Sequence, residues 1–216
     1  FISLSVYAND IYVNQSGATL DLDITQDGQN NTVGSSGTAS SVIGATTNLA
    51  ITQVGSNNVM TFDVNGATYT GTYSVTGNSN NIDFNCDSGG SNSSCGTATA
   101  SIVWVGSSND IDIDIGETSS ATSATVGITG ASGSDSNTIL GTIDGNSAIL
   151  TLSVNGDTNN FLVDIDGNGD SVGHTYIHTH TGSIADVDIT QSGIYDNMVT
   201  LTTVGDNHDI DITQTD

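Results

Sequence analysis

Apolar and polar residues alternate strictly in short segments that recur along the whole chain. In the first clear segment Leu20, Leu22 and Ile24 share one parity, and Asp or Thr fills the positions between and after them. Strict alternation over about seven residues is typical of a strand with one buried face. The same alternation recurs at 49–53, 60–64, 150–154, 161–165, 187–191 and 210–214. The pattern predicts an all-β protein.

Glycine divides these segments at intervals of about eleven residues, which predicts strand-turn arms of that length. Gly can take the positive φ that a tight turn requires. Two arms facing each other across a narrow core would form a coil of about 22 residues, and stacked coils would form a β-solenoid. An ordinary β-sandwich with accidental spacing is the alternative. The predicted turn glycines are Gly17, Gly28, Gly55, Gly66, Gly77, Gly106, Gly145, Gly156, Gly167, Gly193 and Gly205.

Amide side chains occupy inward positions at the ends of the arms, and stacked coils would place them above one another. Buried amides need hydrogen-bond partners, and ladders of stacked amides supply them. The chain has no Pro, as expected where each backbone N–H pairs with a neighbouring coil. The predicted ladder residues are Gln15, Gln26, Asn31, Gln53, Asn58, Asn80, Asn109, Asn159, Gln191 and Gln214.

These units resemble the curlin repeat, the building block of curli-type functional-amyloid fibres, whose core is Gln-x-Gly-x-x-Asn. The segments 26–31 and 53–58 match that core, 191–193 and 15–17 match it in part, and 75–80 and 104–109 keep the Gly and Asn. The pattern covers about two-thirds of the chain, with a more aliphatic core, more Asp and several insertions. The resemblance implies a structural subunit of an extracellular filament, used in surface adhesion, as a pilus-like fibre, or in a biofilm matrix.

The repeat predicts one solenoid domain over 11–216, preceded by an apolar segment over 1–10. Four stretches interrupt the repeat, near 34–48, 86–99, 116–136 and 168–183. They are rich in Gly, Ser, Thr and Ala, which predicts loops or extra arms at the solenoid edge. The segment 1–10 is either the remnant of a signal peptide or a donor strand that pairs with the edge of a neighbouring subunit.

Two cysteines, Cys86 and Cys95, bracket the second interruption. A disulfide between them would close a short loop and imply an oxidising compartment, so we expect a secreted, extracellular or cell-surface protein, or a virion component. Two buried free thiols are the alternative. No apolar segment is long enough to span a membrane as a helix.

Charge excludes several kinds of partner. The chain has no Lys or Arg, 24 acidic residues and a formal net charge of −24. It therefore lacks a basic surface for nucleic acid, and an anionic membrane would repel it. Aspartates recur as Asp-apolar-Asp, as at Asp110, Asp112 and Asp114, so they point outward. They form either a solvated acidic face or sites for Ca²⁺ between carboxylates.

Oxygen ligands are densest at Asp164, Asp166, Asn168 and Asp170, which resemble a calcium loop without its closing Glu. This cluster is the candidate Ca²⁺ site, and no other cofactor is expected. His178 and His180 share one strand face and could bind a transition metal with a nearby Asp. Exposed polar histidines are the simpler interpretation.

No constellation of residues indicates catalysis, so we expect a protein that is not an enzyme. Trp104 replaces an inward Gln and is expected to fill the core rather than stack against sugars. Ice binding through outward Thr-x-Thr arrays is a further alternative, but such triplets are sporadic in the sequence, as at Thr68 to Thr72.

The sequence therefore predicts a homopolymer, because the chain ends inside a strand and an uncapped solenoid offers unpaired strand edges to the next copy. The alternative is a phage virion fibre, decoration protein or surface adhesin. In that case the inserted loops would bind a receptor.

Overall fold

The computed structural model describes residues 10–28, 31–34, 40–55, 58–77, 80–86, 95–116, 123–167, 173–194 and 197–215. The N-terminal segment predicted over 1–10 lies outside these residues except for Asp10. The described residues form strands and no helix, so they contain no helix that could span a membrane. The strands are β1 (Asp10–Ile11), β2 (Asn14–Asp27), β3 (Thr32–Val33), β4 (Ser40–Val54), β5 (Val59–Asn65), β6 (Thr68–Thr76), β7 (Asn81–Cys86), β8 (Thr97–Val105), β9 (Asp110–Ile115), β10 (Ser123–Gly130), β11 (Thr138–Asp144), β12 (Ala148–Asn155), β13 (Asn159–Asp166), β14 (Thr175–Thr181), β15 (Ala185–Ser192), β16 (Met198–Val204) and β17 (Asp209–Thr215).

Every strand pairs in parallel with the strand two places along the chain. Even-numbered strands stack from β2 to β16, and odd-numbered strands stack from β1 to β17. The two stacks form two parallel sheets of a β-solenoid, which confirms the predicted fold class. The sandwich alternative is wrong, because a sandwich is built from antiparallel strands.

The first coils turn their corner inside a strand. Ser40–Ile43 of β4 pair with Phe62–Asn65 of β5 in the odd-numbered sheet, and Thr46–Val54 of the same strand pair with β6. Residues 14–17 of β2 likewise pair with 41–44. β2 and β4 therefore begin in the odd-numbered sheet and continue into the even-numbered one.

Coil length is less uniform than the sequence predicts. Val59 pairs with Asn81 in the next coil, whereas Thr68 pairs with Thr97. The coil that runs from Thr68 to Thr97 therefore contains more residues than the one that runs from Val59 to Asn81. The difference arises mainly on one edge of the solenoid. Connections from an even-numbered to the next odd-numbered strand mostly contain three or four residues, whereas the opposite connections after β5 contain between two and ten.

The four stretches predicted to be loops or extra arms each contain part of a regular strand of the stack. They overlap β4, β8, β10 and β14, respectively. The loop interpretation is therefore wrong for these strands, because most of their residues alternate between buried and exposed positions as those of the other coils do. Ala98 and Ala100 in β8, for example, are at most 2% exposed.

The core is a single narrow layer between the two sheets, filled by the inward residues of both. Tyr69, Tyr73 and Phe84 fill the middle of the third and fourth coils, with the rings of Tyr69 and Phe84 stacked at 4.9 Å between centroids. Trp104 is fully buried, as predicted for a core residue. Gly130 lies over its indole, where a β-carbon would collide with the ring. A small residue in one coil thus accommodates a large one in the next.

Candidate functional site

Asparagine side chains form a continuous ladder on the edge with short connections. After the first member, the Oδ1 of each asparagine accepts a hydrogen bond from the backbone N–H of the asparagine one coil earlier, at 2.8–3.1 Å. All members are at most 6% exposed, so these bonds satisfy backbone groups that no water reaches. The ladder consists of Asn31, Asn58, Asn80, Asn109, Asn137 and Asn159.

Asn137 was missed by the sequence analysis. It accepts from the N–H of Asn109 and donates its own N–H to Asn159. The connection before it is longer than the others on this edge and places Gly133 four residues earlier, so the usual Gly-x-x-Asn spacing is absent. Asn137 and Asn159 have the same separation along the chain as Asn58 and Asn80. That separation is the sequence signal from which Asn137 could be predicted.

Glutamine ladders are shorter and lie at the two ends of the stack. Gln53 donates from Nε2 to Oε1 of Gln26 at 2.8 Å, and Gln214 donates to Gln191 at 2.9 Å. Gln15 does not join an amide ladder, because its partner in the next coil is Val42.

The predicted turn glycines lie at the corners of the coils, although Gly17 lies inside β2 where that strand changes sheet. Gly77 shows why glycine is needed. Its φ is +145°, its N–H donates to the carbonyl of Val105, and a β-carbon would collide with the carbonyl of Gly55. Gly182, with φ +146°, is a further corner glycine that is not among the predicted ones.

Cys86 and Cys95 are joined by a disulfide and are both fully buried. Cys86 ends β7, and Cys95 lies two residues before β8. The bond therefore holds together the two ends of the longest connection between the sheets. Cross-linking such a loop stabilises a fold mainly by restricting the unfolded chain.

The histidines contradict the expectation that they are exposed, because His174, His178 and His180 are all fully buried. His178 hydrogen-bonds through Nδ1 to the hydroxyl of Tyr176 at 3.0 Å, and its ring lies edge-on to Phe161. Burial, with the nearby His180 as a second cause, lowers the pKa of His178 to about 3. His178 is therefore a neutral core residue.

The described residues contain no group of three or more His, Cys, Asp or Glu side chains placed to hold a metal ion. Asn168 and Asp170 of the candidate Ca²⁺ site lie outside those residues, so that hypothesis can be followed only at Asp164 and Asp166. Asp166 accepts hydrogen bonds from the Gly167 N–H at 2.6 Å and the Ser192 hydroxyl at 2.5 Å. The Ser192 bond is the main cause of the lowered pKa of Asp166.

The outward residues of the odd-numbered strands form a surface that we call the acidic face. Its carboxylates are Asp63, Asp83, Asp110, Asp112, Asp114, Asp144, Asp164, Asp166, Asp186, Asp188, Asp209 and Asp211. Asp83 and Asp112 are register partners on adjacent strands, as are Asp188 and Asp211. Partial burial, followed by the charges of Asp114, Asp83 and Asp110, raises the pKa of Asp112 to about 6.

The outward residues of the even-numbered strands from β4 to β16 form a different surface, which we call the threonine face. It contains no carboxylate and consists mainly of Thr and Ser with some Val, Ile and Asn. Threonines align across strands, as Thr70, Thr99 and Thr125 do on β6, β8 and β10. β2 differs from the rest of its sheet, because its outward residues include Asp21 and Asp23.

The last described coil leaves inward residues uncovered. Ile210 and Ile212 of β17 are 38% and 45% exposed, whereas their partners in β15, Val187 and Ile189, are at most 2% exposed. Within the described residues, β16 and β17 pair on one side only, as do β1 and β2 at the other end. Each end of the described stack therefore has a strand edge with no partner among the described residues, beside apolar side chains.

Comparisons with known proteins add no relative from which a function could be inferred. No family model matches the chain, and neither a curated protein nor a solved structure shows a significant match.

Proposed function

We propose that the protein is a structural, non-catalytic subunit of an extracellular filament, assembled end to end through its terminal coils for surface adhesion or for building a matrix. The observation that carries the proposal is the exposed inward face of β17. Within the described residues, its isoleucines occupy core positions without a covering coil. Covering them with another strand would bury apolar surface and pair an open strand edge.

A second copy of the chain offers a matching strand. Residues 21–27 of β2 and 209–215 of β17 are identical at five of seven positions, in the pattern Asp-x-Asp-Ile-Thr-Gln-x. β15 carries the same pattern and already pairs with β17 in that register, Gln191 beside Gln214. A copy whose β2 lies on β17 would therefore continue both the apolar column and the glutamine ladder.

This stacking also accommodates the other sheet. The chain before β2 would lie over β16, where the half-buried Ile11 and Val13 meet Val199 and the partly covered Leu201. Because β2 belongs to the even-numbered sheet of its own copy, each copy is turned by half a turn relative to the last. The acidic residues of β2 then follow Asp209 and Asp211 on the acidic face, which accounts for their difference from the rest of their sheet.

Other features support the same function. The resemblance to the curlin repeat implies a functional-amyloid subunit whose partner is itself. The disulfide of Cys86 and Cys95 fits a secreted protein, because disulfides persist in oxidising compartments. The alternative, a virion or adhesin module binding a receptor, is favoured by the longest connections, which lie on one edge.

Electron microscopy and light scattering of the purified protein test the proposal. We expect unbranched filaments above a critical concentration. Ile212→Asp places a carboxylate on the uncovered apolar face and should prevent growth from β17 while leaving β2 able to bind. A small fraction of this variant mixed with the wild type should therefore shorten the filaments.

Thr213→Asp is the matched control, because Thr213 is the next residue of β17 and points outward. This variant should assemble like the wild type. A wild-type protein that stays monomeric at high concentration would contradict end-to-end assembly. Filaments whose length is insensitive to added I212D would show that β17 is not the growing edge.

A further inference from the structure

We propose that the threonine face binds ice. This face consists of the outward residues of the even-numbered strands from β4 to β16. This inference concerns the side of the solenoid and is independent of how its ends assemble.

The first observation is the two-dimensional order of hydroxyl groups. Along β6, Thr68, Thr70 and Thr72 point outward at every second residue, and Thr97 and Thr99 of β8 continue two of these columns in register. Strands lie about 4.8 Å apart and alternate residues about 6.6–6.8 Å apart. These two spacings are close to the repeats of oxygen positions on a prism face of ice.

A second column shows that the order persists beyond β8. Thr129, Ser153, Thr179 and Thr202 are register partners on four successive even-numbered strands. All four are exposed. The coils containing them differ in length by several residues, yet the long connections leave the register of these hydroxyls unchanged.

The second observation is the chemistry of the face. Each threonine presents a hydroxyl that can donate and accept a hydrogen bond with water, beside a methyl group that water can only enclose. Where the columns lack a hydroxyl, the outward residue is often another branched apolar one, such as Val103, Ile149 or Ile177. A surface of this kind can hold water in a repeating arrangement without attracting counterions.

The contrast with the other side of the solenoid strengthens the assignment. Carboxylates orient water strongly and gather cations, and at the outward positions of the described strands they are confined to the acidic face apart from those of β2. An acidic side facing the liquid would keep the bound protein solvated. The described aromatic residues of the even-numbered strands, Tyr69, Tyr73, Trp104 and Tyr176, all point inward, so this face has no ring platform for a polysaccharide surface.

Ice adsorption of the full chain tests the inference. We expect thermal hysteresis, shaping of single ice crystals and enrichment of fluorescently labelled protein in a slowly grown ice hemisphere. The double variant Thr99→Asp, Thr125→Asp places two charges in the middle of one column. It should lower partition into ice by about tenfold, which corresponds to about 1.4 kcal/mol in affinity.

Thr138→Asp is the matched control. Thr138 is an exposed outward residue of β11 beside Asp110, so the same substitution falls on the acidic face. T138D should bind ice like the wild type, and circular dichroism should confirm that all the variants are folded. Absence of hysteresis and of partition in the wild type would overturn the inference. An equal loss in T138D, or adsorption to cellulose or chitin particles without adsorption to ice, would also overturn it.

Discussion

The two sheets of the solenoid are alike inside and different outside. Both send a row of apolar residues into the same narrow core, as Ile113 of β9 and Trp104 of β8 do. Outside, β9 presents Asp110, Asp112 and Asp114, whereas β8 presents uncharged Thr, Ser and Val residues. The same coil geometry therefore carries two unrelated surfaces.

This difference distinguishes the positions whose residues are constrained by the fold from the positions whose residues can vary without affecting it. Inward positions are constrained by the width of the core and by the coil above and below, so both sheets use similar residues there. Outward positions of a parallel strand face solvent and have few packing partners. Their sorting into one charged and one uncharged face is not needed for folding, and we attribute it to function.

Replacing core residues should show that the two sheets are equivalent inside, and this is the largest effect that we expect. Trp104→Ala should lower the free energy of unfolding by about 3–5 kcal/mol and Ile113→Ala by about 2–5 kcal/mol. Gly130 cannot fill the space left by the indole, because it has no side chain. Urea unfolding followed by circular dichroism measures both values.

The control for this prediction lies one residue away on the same strand. Val103→Thr changes an exposed outward residue and should alter stability by less than about 0.5 kcal/mol. A loss of unfolding free energy as large as that of W104A would mean that the outward positions also contribute strongly to the stability of the fold.

Acid should reveal a difference between the sheets, through His178 on β14. The lowered pKa of about 3 lies below the value of about 6.5 expected in the unfolded chain. The unfolded chain therefore binds a proton that the folded chain excludes, so stability is fully present above pH 6.5 and falls as the pH falls toward 3. Relative to His178→Phe, the wild type should lose roughly 3 kcal/mol between pH 7 and pH 4. Equal pH profiles of the two proteins in urea unfolding would contradict this prediction.

The acidic face should respond to pH with the opposite sign and a smaller amplitude. The pKa of Asp112 in the folded protein, about 6, lies above the ordinary value of about 3.9. The folded state therefore holds the proton more tightly, and this contribution to stability is lost as the pH rises from about 4 to 6. Asp112→Asn should stabilise the protein at pH 7 by about 1 kcal/mol, a value reduced because the carboxylate is partly exposed to solvent. Exposed Asp21→Asn is the control and should change stability little, as measured by the same urea titration.

The sequence was sufficient for the solenoid because the inward residues repeat with a fixed parity. Alternation and glycine spacing predicted the parallel coils, and the asparagines from Asn31 to Asn159 predicted most of the ladder. The alanines of β8 were misinterpreted because small inward residues do not resemble an apolar row until a large residue on the adjacent strand, such as Tyr69 beside Ala98, is placed in register with them.

The threonine face could not be predicted in the same way. Thr-x-Thr is sporadic along the chain, and its order emerges only when strands from coils of unequal length are placed in register. Because the connections differ in length, no constant repeat length along the sequence reproduces that register. His178 and His180 were misplaced for a related reason. Their shared strand face is readable from the sequence, but its burial depends on contacts with Phe161 of β13 and with Tyr176 of the same strand.

The uneven length of the connections has a consequence for how such a chain can change over time. Connections range from two to ten residues on one edge of the solenoid, while the other edge carries the asparagine ladder and mostly short turns. The entropic cost of lengthening a surface loop rises slowly with its length. Foreign peptides grafted between β7 and β8 should therefore be tolerated and displayed in a row along a single edge, whereas the same insertions beside Asn80 or Asn109 would interrupt the hydrogen bonds that join one coil to the next.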